Sequence, residues 1–422
     1  MRFLLTVYEP LDSATNVNAP QQIGAGMWLD DSQTSFHVIT QLGAGFYTCQ
    51  VGLPSSETMG AANPEAQRYG QQLGVPAVGW LPQPVSGLRQ RAHIVIQAGS
   101  FTIFEGRVTT IFPGPGGWPS GFLATGYGVS ATNDDVFNNY SPYLTTNGVF
   151  LGKVLGQIAP LIVPGPSDLF VDPGVTTQEL NFVNMYPSQI ISQFSKAGAG
   201  GTFWDFMVWE NRVASFLPRL APGVPDYLVP WDSRVQQAQI ISDRMADTVK
   251  LQYSKINPDS ANTTATETQT NSNFVSQNGW SHTEYISGGQ LYADAASAYV
   301  AALLDLFAKP EFSATIIRNS APLRDDALMP SSMGVETWSG QMRPPWMVRC
   351  GQNLQIDIEP SSQDNIAVAG PHIIQRTEWV SNGQLTITVG TPIQDWVAVL
   401  ATIGDNLQDV RNKINPNTGG PA

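Results

Sequence analysis

Ile94-Val95-Ile96-Gln97-Ala98-Gly99 leads into Phe101-Thr102-Ile103-Phe104 and then Arg107-Val108-Thr109-Thr110-Ile111. These runs are rich in β-branched and aromatic residues, and Ala98-Gly99-Ser100 between them is turn chemistry, so they read as a hairpin. A Gly/Pro-rich turn follows, then Phe122-Leu123-Ala124-Thr125-Gly126 and an Asp-rich helix start. Far downstream the phrase recurs. Met347-Val348-Arg349-Cys350-Gly351 precedes Leu354-Gln355-Ile356-Asp357-Ile358 and Arg376-Thr377-Glu378-Trp379-Val380. An Asn-Gly turn leads to Leu385-Thr386-Ile387-Thr388-Val389-Gly390 and another helix start. A long-period echo is a fold-level signal. It predicts two related β-barrels, each with a packed helix, on a subunit that gives two quasi-equivalent sectors to a ring.

The 422 residues are enough for two or three domains with cores of their own. Charged residues make up 13% of the chain, about half the usual share of about 25%. Gly (39) and Pro (31) are abundant, and Ser, Thr, Asn and Gln replace the missing charges. That mixture suits turn-rich β domains with a neutral polar surface. A net charge of −13 and the lack of any basic run exclude a large electrostatic grip on DNA. Cys49 and Cys350 show no CxxC or Cys/His spacing, so they read as buried free thiols. The apolar run of Met1–Pro10 is too short for a signal peptide and alternates as a strand. The most apolar later stretch, Ala293–Ala308, carries Asp294 and Asp305 and falls short of a membrane span. The chain reads as soluble, with no stable membrane insertion.

Residues 1–148 read as the first barrel. Its strands include Ser35–Ile39 and Phe46–Val51, and a long Gly/Pro-punctuated excursion occupies 53–84. Residues 149–235 read as a small α/β insertion. Helical patterns cover Val149–Ala159 and Pro187–Lys196, and strand patterns cover Phe203–Trp209 and Arg212–Phe216. Residues 236–404 read as the second barrel, opening on Thr248-Val249-Lys250-Leu251-Gln252-Tyr253 with Val249, Leu251 and Tyr253 on one face. Within it, 258–279 reads as a polar loop, mobile or draped over a partner. A helix over 289–308 shows a narrow polar stripe of Asp294, Ser297 and Asp305, which leaves a side for another subunit. Thr391, Pro392, Gln394 and Gly404 mark the start and end of a last helix, and 405–422 is a polar tail.

The search for chemistry returns no catalytic, cofactor-binding or metal-ligating set. His37, His93, His282 and His372 form no metal-ligand spacing, and ordinary satisfied imidazoles explain them. Gly198-Ala199-Gly200-Gly201 lacks the Gly-Lys-Ser/Thr ending of a phosphate loop. Asp134-Asp135 and Asp325-Asp326 are paired carboxylates of the kind a glycosidase uses, but their settings are a helix start and a turn. Trp209, Trp379 and Trp396 fall within regular elements, where packing is the default over sugar stacking. An enzyme is not expected.

In order, these elements resemble the tail hub, or baseplate hub, of tailed bacteriophages. The resemblance covers roughly residues 20–404. It rests on Gly43-Ala44-Gly45-Phe46 with a strand ending at Leu53-Pro54, and on Phe104-Glu105-Gly106-Arg107-Val108 leading to Ala124-Thr125-Gly126-Tyr127-Gly128. Trp209-Glu210-Asn211-Arg212, Ala246–Tyr253, and Tyr285-Ile286-Ser287-Gly288-Gly289 before an Ala-rich helix ending at Pro310 continue it. Pro345-Trp346-Met347-Val348-Arg349-Cys350-Gly351 and the Leu385–Leu400 strand-helix pair close it. The resemblance implies tail-tube-like barrels and a homotrimer whose six barrels match a six-fold tube around a DNA channel. Its implied partners are a distal tail or tail tube protein and a tip, spike or fibre protein. DNA would pass without specific binding, past an acidic, non-adhesive lining. The chain would be made in the host cytoplasm and reside in the virion at the tail tip. Because 405–422 cannot hold a peptidase, lysozyme-like or receptor-binding domain, those activities are expected on another protein. Two alternatives stand beside this: a hexameric distal tail protein, and a carbohydrate-binding or polysaccharide-cleaving β protein.

Overall fold

The computed structural model describes residues 3–11, 20–23, 27–29, 35–53, 88–113, 119–139, 145–158, 161–171, 176–177, 182–196, 204–218, 225–231, 235–241, 245–255, 257, 261–291, 293–308, 311–319, 335–337, 342–358, 368–381 and 383–390. The excursion 53–84 beyond Leu53, the helix starting at Thr391, Asp325-Asp326, Trp396 and the tail 405–422 lie outside the described residues.

The N-terminal part is a meandering antiparallel sheet. Its strands are β1 (Phe3–Tyr8), β2 (Met27–Leu29), β3 (Phe36–Gln41), β4 (Gly45–Gly52), β5 (His93–Ala98), β6 (Phe101–Pro113) and β7 (Pro119–Gly126). The predicted hairpin is β5–β6, with Gly99 at φ 60 in its turn, a backbone region glycine enters without a Cβ penalty. A lobe follows: α1 (Tyr127–Ser130), α2 (Asn147–Ile158), α3 (Pro187–Lys196), β8 (Trp204–Val208) and β9 (Val213–Pro218). Helix α3 runs over the span its pattern predicted and buries Ile190, Ile191 and Phe194 against Trp204, Phe206 and Phe216.

The chain then returns through β10 (Tyr227–Pro230) and β11 (Val235–Ile241) and makes a second lobe. This lobe is a three-stranded sheet of β12 (Thr248–Lys255), β13 (Thr263–Thr270) and β14 (Thr283–Leu291), with α4 (Phe274–Asn278) and α5 (Ala293–Phe307). Further strands of the main sheet include β15 (Glu311–Asn319), β16 (Asn353–Asp357), β17 (His372–Val380) and β18 (Gln384–Gly390).

Both stretches of the echo form antiparallel strands. Strands β5–β6–β7 and β16–β17–β18 are each consecutive antiparallel meanders. No barrel closes among the described residues, which corrects the expectation of two barrels. Hydrogen-bonded pairing runs β2–β1–β5–β6–β7–β4–β3–β17–β18–β15–β11, every step antiparallel. The physical reason lies at β3 and β17. The edge by which each half could close on itself is spent on the other half, through the register Thr40↔Thr377 and Val38↔Trp379. The Thr40 and Thr377 hydroxyls lie 2.7 Å apart across this seam, and the Cys350 N–H donates to Thr40 Oγ1 at 3.1 Å.

The apolar cores follow the pairing. One core joins residues from β1–β7 with Tyr227, Val229, Phe312, Trp346, Leu354, Trp379 and Leu385. The first lobe has its own core, including Tyr127, Leu151, Ile190 and Phe216. The second lobe has a third, in which Val249, Leu251 and Tyr253 pack on Ala296, Tyr299, Val300, Leu303 and Phe307 of α5. Tyr299, Val300, Leu303 and Phe307 of α5 are therefore used inside its own lobe.

The segment 258–279 departs from its reading as a polar loop. Thr263–Thr270 pairs with β12 over eight consecutive residues, and Phe274 of α4 is fully buried against Trp280. Its alternation is polar on both faces, so no hydrophobic period marks it as a strand.

Candidate functional site

The densest set of buried polar groups sits where the main sheet, the first lobe and the C-terminal strands meet. Strand β8 ends against β4: Val208 pairs with Gly45, whose φ is 79, and a Cβ at Gly45 would lie 2.3 Å from the Val208 carbonyl oxygen. Only glycine permits that approach. The chain then turns a corner through Trp209-Glu210-Asn211-Arg212 into β9. Asn211 and Arg212 take φ of 56 and 59. Two successive non-glycine residues in the left-handed region cost on the order of 1–3 kcal/mol each and persist only where surroundings fix them.

Arg349 fixes the corner from one side. Its guanidinium donates to both Glu210 carboxylate oxygens, at 3.0 Å and 2.5 Å, and to the Thr102 carbonyl at 2.8 Å. It also lies 5.2, 4.6 and 4.8 Å from the ring centres of Phe46, Phe101 and Trp209. A planar cation stacked among three aromatic rings while making a forked ion pair is a role lysine cannot fill.

Glu105 of β6 fixes it from the other side. The Asn211 N–H donates to Glu105 Oε2 at 2.6 Å, and Arg212 Nε lies 4.0 Å from Oε1. His93 Nε2 is 3.8 Å from the same oxygen, while His93 Nδ1 lies 2.9 Å from the Tyr127 hydroxyl. His93, Glu105 and Arg212 are 3%, 6% and 8% exposed. Burial raises the Glu105 carboxyl to about 7, against the opposing pull of the Asn211 N–H and Arg212. Burial also lowers His93 to about 3, helped by the Arg212 charge, and pushes the Tyr127 phenol up. Beside them Arg107 binds Asp134 at 2.5 Å and the Ser130 carbonyl, and Arg91 binds Asp134 at 2.6 Å.

The residues weighed from the sequence fall into place around this joint. Asp134 is an ion-pair anchor. Trp209 is one wall of the Arg349 cage, and Trp379 is 4% exposed in the main core. His37 lies 3.6 Å from Glu378 at the β3–β17 seam. The half-exposed His282 faces Glu284 at 3.3 Å. His372 stacks on Phe312 with centroids 4.4 Å apart and bonds the Val368 carbonyl, and burial lowers its pKa. Cys49 and Cys350 are buried free thiols, with the Cys49 thiol pushed up by burial. No group of three or more metal-capable side chains occurs among the described residues. No helix among them is long and apolar enough to cross a membrane.

Sequence reasoning missed the joint itself. The signal was present in two forms: Glu105 and Arg107 interrupt an apolar strand in a chain with few charges, and Trp209-Glu210-Asn211-Arg212 carries two charges between two strands.

A second feature is the outer face of the β12–β14 sheet, away from α5. The register places Thr264, Thr266, Thr268 and Thr270 beside Thr248, Lys250, Gln252 and Ser254, and these beside Thr283, Tyr285 and Ser287. Tyr285 is 72% exposed, with the Lys250 ammonium 5.4 Å from its ring centre. The face is hydroxyl-rich and carries one charge.

No family model matches this chain, and no curated protein matches it by sequence. Solved structures do match. The 43 kDa tail protein of prophage MuSo2 from Shewanella oneidensis superposes with a TM-score of 0.54 at 9% identity, covering 92% of this chain and 98% of that one. Prophage tail protein gp18 from Listeria monocytogenes EGD-e superposes with a TM-score of 0.55 at 12% identity, covering 96% and 99%. Over more than nine-tenths of its length, the chain shares the fold of these two prophage tail proteins.

Proposed function

We propose that this chain is a structural tail protein of a bacteriophage or prophage, and within the tail the hub: a homotrimer capping the distal tube. The observation that carries the reading is mutual coverage above nine-tenths with two prophage tail proteins, which leaves little of either chain outside the shared fold. The paired meanders β5–β7 and β16–β18 support the trimer, because three chains then present six similar units to a six-fold tube. In this reading the tube or distal tail protein meets one face and a tip, spike or fibre protein the other. DNA passes through the middle without specific binding, which a net charge of −13 favours over adhesion. The measurement that decides it is the mass of the purified assembly by light scattering, with particle images for symmetry. Three copies in a three-fold ring are expected; a stable monomer or a six-copy ring sinks the hub.

The exposed Tyr285 on its hydroxyl-rich sheet face favours a second reading, a neutral-glycan platform, since aromatic rings flanked by neutral donors suit sugar stacking. Titration with chitohexaose, maltoheptaose and dextran separates the two. Binding abolished by Tyr285→Ala establishes the glycan reading, and no heat with any of the three removes it.

A further inference from the structure

Strand β13 is an open edge of the second lobe. It pairs with β12 from Thr263 to Thr270 without a break, and no described strand lies on its other side. Strand β14, across β12, is interrupted by a register shift between Gln252 and Ser254 and carries Gly288-Gly289. The lobe itself is inserted at the end of the β11–β15 hairpin, beyond the pair Ile241↔Glu311. Its core shares no residue with that of the main sheet, and the side-chain bonds of Asp247 and Gln269 stay within it.

An uncovered strand of this length is a template for any strand that meets it, and proteins guard such edges with lysine, proline, bulges or an inward-pointing charge. Strand β13 has no lysine, proline or bulge. It has one inward-pointing charge, Glu267, which stands on the α5 side between Ala265 and Gln269 and opposite the fully buried Leu251. Gln269 bonds to Ser297 of α5, whereas no cation pairs with Glu267 among the described residues. The carboxylate therefore favours a strand that brings a positive charge to it. A second copy of β13 does not. Its two longest two-fold antiparallel registers set Glu267 directly opposite or diagonal to its own counterpart, where like charges repel.

We propose that the β13 edge is a docking site for one extended strand of a second protein, with Lys or Arg facing Glu267 and hydroxyl or β-branched residues beside the row Thr264, Thr266, Thr268 and Thr270. Main-chain hydrogen bonds supply the attachment, and the side chains that meet Glu267 and the threonines supply the choice of partner. The added strand makes the three-stranded sheet four-stranded. The site is separate from the exposed Tyr285, which stands on β14 at the other edge of the sheet. It is also independent of where in a tail the chain sits.

The test uses the full-length protein and the end-blocked peptide Thr-Val-Thr-Lys-Thr-Val-Thr, which presents its lysine at the centre in either chain direction. The same peptide with Glu in place of Lys is the comparison. The Lys peptide is expected to bind about five-fold more tightly than the Glu peptide in equilibrium titration. On binding, hydrogen exchange should slow at every second amide of β13, those that point away from β12. Glu267→Lys is expected to reverse the preference. Should that variant fail to fold, Glu267→Gln decides, and it should bind the two peptides equally. Equal binding of the two peptides by wild type, a preference that survives in Glu267→Gln, or binding without slowed exchange in β13 overturns the site. So does a Lys peptide that fails to bind at millimolar concentration.

Discussion

Trp379→Ala is expected to destabilise the main sheet by about 3–5 kcal/mol, the usual cost of emptying a buried tryptophan site. The ring lies 5.3 Å from Phe3, 5.0 Å from Phe36 and 5.7 Å from Trp346, centroid to centroid. Two of these neighbours come from the first strands of the chain and one from its last hundred residues. Trp379 also pairs directly with Val38 across the β3–β17 seam. The loss should therefore be felt at both ends of the sequence together. Hydrogen exchange of β1 and β18 in the variant checks this: both strands should lose protection in parallel. Retained protection in β1 beside a loosened β18 would show that the halves fold apart and that the shared core carries little. Trp379→Phe, which keeps an aromatic ring in the cluster, should recover most of the loss.

Arg349→Ala should cost about 2–4 kcal/mol, below the 3–5 of a fully buried pair because Glu210 keeps some contact with water. The side chains of Arg349 and Glu210 are 17% and 32% exposed. Truncation leaves the Glu210 carboxylate without its forked partner, strips the Thr102 carbonyl of a donor, and opens a gap between Phe46, Phe101 and Trp209. Arg349→Lys should rescue less than half of the effect, since an ammonium cannot bridge both carboxylate oxygens in the plane of stacking. Denaturant titration gives the stability change, and limited proteolysis at 209–212 shows whether the corner is what has loosened. Equal stability of the lysine variant would mean that charge alone, and not the planar fork, holds the joint.

Much of the local structure was legible in the sequence because its signals are local. The β5–β6 hairpin is written in alternating residues around a glycine turn. Helix α3 is marked by Pro187 in its first turn and by Ile190, Ile191 and Phe194 on one face. Strand β12 shows its inward row, Val249, Leu251 and Tyr253, without help from the rest of the chain. Strand β13 was not legible. Its inward positions are Ala265, Glu267 and Gln269, and Gln269 is satisfied by bonding to Ser297 of α5 rather than by apolar packing. A strand whose covered face is polar has no hydrophobic period to read.

The joint was illegible for a different reason. Its parts, Phe46, Glu105, Glu210 and Arg349, come from distant points of the chain, and the charges that stand out locally at Glu105 and Glu210 do not say which partners they meet. Their roles exist only after β8 has been laid against β4 at Gly45 and the corner has brought Glu210 under Arg349.

The sequence by itself determined the strands that carry a hydrophobic period, such as β5, β6 and β12, and helices such as α3. These depend on side-chain periodicity and turn chemistry, which neighbouring residues settle among themselves. The tertiary structure alone decided that β3 pairs with β17, so that two would-be barrels become one open sheet with a shared aromatic core. Every strand edge offers the same backbone donors and acceptors. The choice of partner is made by the whole set of side chains that must be buried together: here Phe3, Phe36, Trp346 and Trp379.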